Sequence, residues 1–437
     1  MRDAGRVAAA VAVLEDMERR HRPAKQALKA WSDDSRYAGS GDRAFVSGLV
    51  LDALRRRQSC GWRMGAQTAR AVVLATLRFT WDWPLERIAR AADEPPHGLG
   101  ALTPAETARL GATLSLDDAP PWIAGDYPQW LDPHLARVFG DDRVAEGEAL
   151  THRAPIDLRV NRLKTDRDHA AAALAPLGAA PTRLMSTGLR IPAPGPTDKA
   201  PPVEAIPEFH KGWFEIQDLG SQIAAAAAGP CAGKQVLDYC AGGGGKTLAM
   251  AATMGGEGRI YAYDSDARRL ADTARRLERA GADTIEVRTP LRGDALAGLE
   301  GRMDVVFVDA PCTGSGTWRR HPDAKWRLTP AQLAKRMAEQ DAVLAAAARF
   351  VAPDGHLVYV TCSLLMEENE DRLAAFLAAH PSFEALPALD QVEASGLLDP
   401  WGVSELAPFQ TADLALRLTP RRSGTDGFFI GVVWRVA

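Results

Sequence analysis

The sequence predicts an α/β protein. Its second half should be a doubly wound, Rossmann-like sheet domain, preceded by a helical segment and a small mixed α/β connector. Three observations predict this. After residue 226, the short apolar runs QVLDYC, RIYAYD, MDVVFVDAPC and HLVYVTCS alternate with the helix-like stretches ARRLADTARRLERAG and PAQLAKRMAEQDAVLAAAARFV. Buried parallel strands with crossover helices leave this signature. Residues 1 to about 110 instead carry apolar residues at helical spacing. Finally, 437 residues exceed what one core holds, since single cores stop growing at roughly 250–300 residues. We divide the chain at 1–118, 119–225 and 226–437.

In the first part, DRAFVSGLVLDALRRR places Phe45, Leu49, Leu51 and Leu54 on a helix, with Asp42 as the expected N-cap. TARAVVLATLRFTWDW repeats the pattern, and DEPPHGLGALTP breaks it with Pro and Gly. In the connector, PPWIAGDYPQWLDPHLARVFG brings Trp and Pro together, and alternation of Ile156, Leu158 and Val160 in IDLRVNRLKT predicts a strand. LGAAPTRLMSTGLRIPAPGPTDKAPP reads as loop with short strands.

Composition excludes several classes. Hydrophobic residues at 46% and charged residues at 25% fall in the globular range, against general disorder. There is no apolar run of about 18 residues, so no transmembrane helix is expected. MRDAGRVAAAVAVLEDMERR reads as an amphipathic helix, not a secretory signal. The five cysteines, Cys60, Cys231, Cys240, Cys312 and Cys362, are odd in number with no CxxC pair, which argues against a disulfide framework and a zinc site. The chain reads as reduced, cytoplasmic, metal-free and monomeric. A net charge of −4 does not favour nucleic acid, but a binding face needs only a local basic stripe. Arg319, Arg320, Lys325, Arg327, Lys335 and Arg336 form one candidate, with a solvated helix face as the competing reading.

In a parallel sheet, ligands bind at the carboxyl ends of the strands. The first strand runs into Cys240, Ala241, Gly242, Gly243, Gly244, Gly245 and Lys246. Consecutive glycines allow close backbone approach, and the following helix N-terminus presents amides to an anionic group. A Walker phosphate loop would need Gly at position 240, which is Cys. The second strand ends at Asp264, placed to accept bonds from ribose hydroxyls or to cap the next helix. Two further strands end near Asp309 and Cys312, and at Cys362. A lone strand-end cysteine is usually a small buried hydrophobe. Two at one edge beside a nucleoside site suit nucleophilic chemistry, because thiolates are good nucleophiles and good leaving groups. A thiolate adding at carbon 6 of a pyrimidine makes carbon 5 nucleophilic.

The motifs VLDYCAGGGGKT, DAPCTGSGTWRRHPDAKW and LVYVTCSLLMEENE, with WFEIQDLGSQ upstream and TDGFF at 425–429, closely resemble the Fmu/Sun family of RNA cytosine-5 methyltransferases. The resemblance is clearest over residues 210–435. DRAFVSGLVLDALRRR more weakly resembles the family's NusB-like helical RNA-binding domain. The resemblance implies a class I methyltransferase domain using S-adenosylmethionine, held by residues 240–246, Asp264 and Asp309. It implies Cys362 as nucleophile, Cys312 as the residue aiding product release, and Lys246 and Asp309 at the reaction centre. The implied partner is RNA, above all small-subunit (16S) rRNA before full assembly, with transfer RNA as the rival substrate and a non-catalytic RNA-binding assembly factor as the rival role. Implied RNA contacts are Arg319, Arg320 and His321, with Arg159, Arg162 and Lys164 in the connector; Trp318 and Trp326 could stack on bases or be core. The sequence departs from the family twice. CAGGGGKT lacks the usual Pro of the loop. The usual adenine-facing acid after the third strand is missing, with Thr289 at the expected strand end and Asp294 beyond it.

Overall fold

Thr68 opens the helix Ala69–Phe79 by accepting a hydrogen bond from Ala71 N on its hydroxyl at 3.2 Å. The computed structural model describes residues 1–112, 115–199, 201–271 and 273–436. Its N-terminal helices, Asp3–Arg20, Ala24–Asp34, Ser40–Arg55, Arg57–Met64, Ala69–Phe79 and Leu85–Asp93, enclose one core that includes Val7, Val46, Leu49, Leu74, Leu77 and Ile88. Phe45, Leu49 and Leu54 are buried as expected, and Leu51 only partly. Asp42 is not the N-cap. It lies in the first turn of Ser40–Arg55, where it accepts from Gly39 N at 3.0 Å, from the N-terminal ammonium at 3.0 Å and from Arg6 Nε at 2.8 Å. Burial pushes its carboxyl pKa up, but these three donors outweigh burial and hold it below the usual value.

The helical unit is larger than expected. It comprises Met1–Arg153, Pro194–Pro201 and Trp318–Leu328. Residues 119–153, assigned from sequence to the connector, therefore fold with the helices, as Pro121–Ala124, Asp132–Phe139 and Arg143–Ala149. A buried Asp126 ties them in, accepting from Ser59 N at 2.9 Å and Ser59 Oγ at 2.6 Å. The helix Pro322–Arg327 is anchored in the same unit. Lys325 Nζ donates to Arg55 O at 2.7 Å and to Asp126 O at 2.5 Å; Trp326 Nε1 donates to Leu54 O at 2.6 Å.

The second unit holds two sheets. The smaller is antiparallel: β1 (Ile156–Val160), β2 (Ala180–Pro181), β3 (Gly188–Ile191) and β4 (Phe214–Ile216), in the order β2-β3-β1-β4. The predicted strand is thus present, but both of its faces are covered. Asp157 is buried and accepts from Arg190 Nε at 2.6 Å and Leu219 N at 3.0 Å, and Arg159 is buried beside Gln217.

The larger sheet contains the expected strands: β5 (Gln235–Asp238), β6 (Arg259–Tyr263), β7 (Ile285–Arg288), β8 (Met303–Asp309) and β9 (Val351–Thr361), parallel in the order β9-β8-β5-β6-β7. An antiparallel edge is added by β10 (Phe383–Leu386), β11 (Leu416–Leu418) and β12 (Phe428–Arg435), with β12 between β9 and β10. The order reverses between β5 and β8, so the crevice at their carboxyl ends is the topological switch point where such sheets bind ligands. The helix Pro330–Ala348 begins on a reciprocal cap, Thr329 Oγ1 accepting from Gln332 N and Gln332 Oε1 from Thr329 N. The other predicted helix is shorter, Thr273–Ala280. No helix among the described residues is long and apolar enough to cross a membrane.

Candidate active site

At the end of β5, Gly242 and Gly244 adopt φ of +52° and +77°, a left-handed conformation that a side chain strains. The turn delivers the amides of the helix Gly245–Met254 to the switch-point crevice. Asp264, just past β6, is buried and accepts from Gly242 N at 3.0 Å and from Asp266 N at 2.9 Å. Arg269 Nη1 lies 3.2 Å from Asp264 Oδ2 and competes for that oxygen. Cys240 is a free thiol, and burial, helped by Asp238, Asp309 and Asp264, pushes its pKa far up. It is no ready thiolate. Asp238 is buried; Thr247 Oγ1 donates to its Oδ2 at 2.6 Å, while Oδ1 has no partner among the described residues. Burial pushes its pKa up to about 7.

Lys246 reaches from the first turn of that helix to the end of β8, donating to Asp309 Oδ2 at 2.6 Å. Its Nζ also lies 5.4 Å from the Phe428 ring centroid. Burial works to lower the Lys246 pKa, but Asp309, with smaller help from Cys362 and Asp238, carries it above the ordinary value. The ammonium form therefore stands at the head of the crevice.

The two strand-end cysteines meet. Cys312 Sγ and Cys362 Sγ are 3.4 Å apart, well beyond the roughly 2.05 Å of a disulfide, and both are free. The Cys312 pKa is pushed well up, first by its contact with Cys362 and then by burial. Cys362 continues directly from β9, whose last residue, Thr361, is in register with Phe429 of β12. Gly316 N donates to Cys362 O at 2.9 Å, and Gly427 N to Gly316 O at 2.8 Å. This pins the 425–429 motif against the cysteine loop.

The structure thus gathers Cys240 through Lys246, Asp264, Asp309, Cys312 and Cys362 at one sheet edge. The expected RNA contacts fare differently. Arg319 is 4% exposed and Lys325 1% exposed, so neither offers its charge to a phosphate on the surface. Trp318 is buried, and Trp326 is partly buried against the helical core. Arg327 is held by Asp323 at 2.9 Å, and Lys335 and Arg336 by Glu339 at 3.8 and 2.5 Å. Arg320 is half-buried and His321 exposed. Arg159 is buried with Nε donating to Gln217 Oε1 at 2.6 Å, and burial lowers its pKa to about 10, whereas Arg162 and Lys164 are exposed. Alternation predicted the strand but could not reveal its covered second face. Sequence reasoning also missed Glu368, Gln340 and Thr313, described below; Glu368 stands inside the quoted LLMEENE, but nothing local announces its distant partners. Asp294 is exposed, its Oδ1 accepting from Leu296 N at 3.2 Å.

Residues 225–433 match the family described as 16S rRNA methyltransferase RsmB/F, and residues 127–198 match the ferredoxin-like domain of RsmF/B-like methyltransferases. The chain belongs to the RsmB/F family. A probable ribosomal RNA small subunit methyltransferase B from Synechocystis is 32% identical over 311 residues, 70% of this chain and 66% of that protein. The ribosomal RNA small subunit methyltransferase B of Citrobacter koseri is 34% identical over 257 residues, 58% of each. The chain therefore spans 58–66% of the length of these RsmB relatives. A methyltransferase homologue from Pyrococcus horikoshii superposes with a TM-score of 0.58 at 27% identity, covering 74% of this chain and all of that one. The structure of PH0851 superposes with a TM-score of 0.72 at 22% identity over 99% of both chains, which speaks to fold.

The cofactor of RsmB/F methyltransferases is S-adenosylmethionine, and the donor set fits it. Asp264 would offer a carboxylate to ribose hydroxyls, the amides of the Gly245–Met254 helix would face the carboxylate of the methionine part, and the Asp238 Oδ1, without a partner among the described residues, leaves a polar atom over in the loop's base. Among the described residues no cluster of His, Cys, Asp and Glu could hold a metal ion.

Proposed function

We propose that this protein transfers a methyl group from S-adenosylmethionine to carbon 5 of a cytosine in RNA, with 16S rRNA before full assembly as substrate. The observation that carries the reading is the pair of thiols 3.4 Å apart at the ends of neighbouring parallel strands, beside the glycine turn. Bound at residues 240–246, Asp264 and Asp309, the cofactor supplies an electrophilic methyl on a sulfonium.

The chain's own residues do the rest. Cys362 gives up its thiol proton to solvent and its sulfur adds to carbon 6 of the ring, which breaks the aromaticity and moves an electron pair toward carbon 5. Asp309 and the Lys246 ammonium, 2.6 Å apart, bond the polar edge of the base and the charge that develops there. After methylation, solvent accepts the proton from carbon 5, the carbon–hydrogen pair restores the ring double bond, and the carbon–sulfur bond breaks, returning its electron pair to Cys362. Cys312, beside Cys362, assists this release. Attack from the face of the ring requires the cytosine to leave its stack. Arg320, His321, Arg162 and Lys164 remain as backbone contacts, while the buried Arg319 and Arg159 are withdrawn from that role. The helical unit serves as a NusB-like RNA-binding domain.

The test is a denaturing gel for covalent protein–RNA adducts, using wild type, Cys312→Ala, Cys362→Ala and the double variant with small-subunit rRNA and cofactor. Cys312→Ala should accumulate adduct, and neither protein lacking Cys362 should form any. Adduct from Cys362→Ala but not from Cys312→Ala would reverse the two roles. No adduct from any variant would count against this substrate, and transfer RNA would then be tried.

A further inference from the structure

A buried carboxylate joins the two loops that carry the thiols. Glu368 is wholly buried. Its Oε1 accepts from Thr313 N at 2.8 Å and from Gln340 Nε2 at 3.0 Å. Its Oε2 accepts from Thr313 Oγ1 at 2.5 Å and from Ser363 Oγ. All four are donors, so the group acts only as an acceptor and both oxygens are saturated. Gln340 Nε2 also donates to Pro311 O at 2.9 Å. Of the residues on either side of Cys312, Thr313 thus bonds this carboxylate directly and Pro311 is tied to it through Gln340.

The two cysteines differ in what else holds them. Cys362 is the direct continuation of an eleven-residue strand with neighbours on both sides. Cys312 lies in an irregular segment after β8, with no ladder of its own. Its placement therefore depends on Thr313 and Pro311. The charge of Glu368 also contributes to keeping Cys312 a thiol.

We infer that Glu368 is a positioning residue that fixes the Cys312 loop against Cys362, and so serves release of the product rather than the first attack. This rests on the roles proposed above for the two cysteines. Removing the carboxylate should leave Cys362 in place and let Cys312 drift. Glu368→Ala should then behave like loss of Cys312, accumulating adduct while turnover falls by about 10²-fold, the cost of a misplacement of about 1 Å. Glu368→Gln should be close to wild type. Its oxygen can face Thr313 N and Gln340, and its amide can donate to the Thr313 and Ser363 hydroxyls, which accept as well as donate.

Two measurements on the full chain test this, after thermal unfolding has shown each variant folded. The first is the rate at which diamide joins the two thiols, read by mass spectrometry as the Cys312–Cys362 disulfide; both hydrogens pass to the diazene. This needs no RNA and does not depend on the enzymatic reading. Pairing should be rapid in wild type and Glu368→Gln, and at least several-fold slower in Glu368→Ala. Equal rates in all three would overturn the positioning role. The second is the adduct gel, with Cys312→Ala alongside. Adduct accumulation by both Cys312→Ala and Glu368→Ala supports the inference. Accumulation by Cys312→Ala with none by a folded Glu368→Ala overturns it and moves Glu368 to the attack step. If Cys312→Ala accumulates nothing while the disulfide rates still separate, the proposed cysteine roles fail and the positioning role stands.

Discussion

Spacing along the chain places Lys325 in a basic stripe, yet it is 1% exposed, with its Nζ on two backbone carbonyls and 4.8 Å from the Trp326 ring centroid. Burial lowers its pKa from 10.5 to about 7, against a smaller opposing pull from Asp126. That displacement corresponds to roughly 5 kcal/mol of preference for the neutral amine in the fold. Below about pH 7 the amine is charged in both states, and above 10.5 it is neutral in both. Between these limits the unfolded chain holds a proton that the fold does not, so stability rises with pH at up to about 1.4 kcal/mol per pH unit. Lys325→Met keeps the apolar stem and removes the titration. Relative to Lys325→Met, wild type should gain roughly 2–3 kcal/mol between about pH 7.5 and 9.5. Urea unfolding followed by tryptophan fluorescence measures this. Parallel pH profiles would refute the buried neutral amine. So would a drop of about one in the salt slope of RNA binding with stability unchanged, the mark of a lost phosphate contact.

Three further outcomes follow from named contacts. A Cβ on Gly316 would stand 2.3 Å from Gly427 O and 2.6 Å from Gly427 Cα, so Gly316→Ala must push the 425–429 segment off the cysteine loop; methyl incorporation should fall by about 10²-fold. Asp157→Ala removes the carboxylate that holds the Arg190 guanidinium at 2.6 and 2.9 Å and unpairs Leu219 N, while Arg190 keeps Gly424 O at 3.1 Å; thermal unfolding should report a loss of about 3 kcal/mol, the low end for breaking a buried pair, since Arg190 is partly exposed. Asp238, pushed up to about 7 by burial, keeps its proton in the fold while the unfolded chain ionises near 3.8, so stability of the sheet unit should fall as pH rises from about 4 to 7; Asp238→Asn should flatten that fall in urea titrations across the range.

What the sequence disclosed and what it hid divide along a physical line. The ends of β5, β6, β8 and β9 were legible because a parallel strand buried on both faces is a short apolar run, and the residue that ends it faces the ligand edge. That rule alone brought Asp264, Asp309 and Cys362 to one edge. Burial of a long polar side chain was not legible. Lys325 and Arg319 look like a solvent-facing stripe when their spacing is read along the chain. Backbone carbonyls from residues 55 and 126 accept from the Lys325 amine instead. Arg159 misled for the same reason: a period of two shows which residues share a face, not whether that face is covered. The antiparallel edge is not legible because FFIGVVW is the same kind of short apolar run as the parallel strands, and such a run does not show the strand's direction.

The cysteine pair depends on three separated stretches of chain. Cys312 follows β8, Cys362 follows β9, Glu368 belongs to the turn after it, and Gly427 comes from the segment leading into β12. Each pairwise link is modest, since a hydrogen bond contributes about 1 kcal/mol net, yet leaving a buried carboxylate without its donors costs more than any one bond supplies. The arrangement is therefore held less by the strength of its bonds than by the penalty for breaking any of them. Sulfur placement should accordingly respond to substitutions at Gln340, Thr313 or Gly427, which do not touch the base, as strongly as to changes nearer the thiols. Activity lost at those positions without a change in cofactor affinity would locate the effect in the cysteine pair and not in the glycine turn.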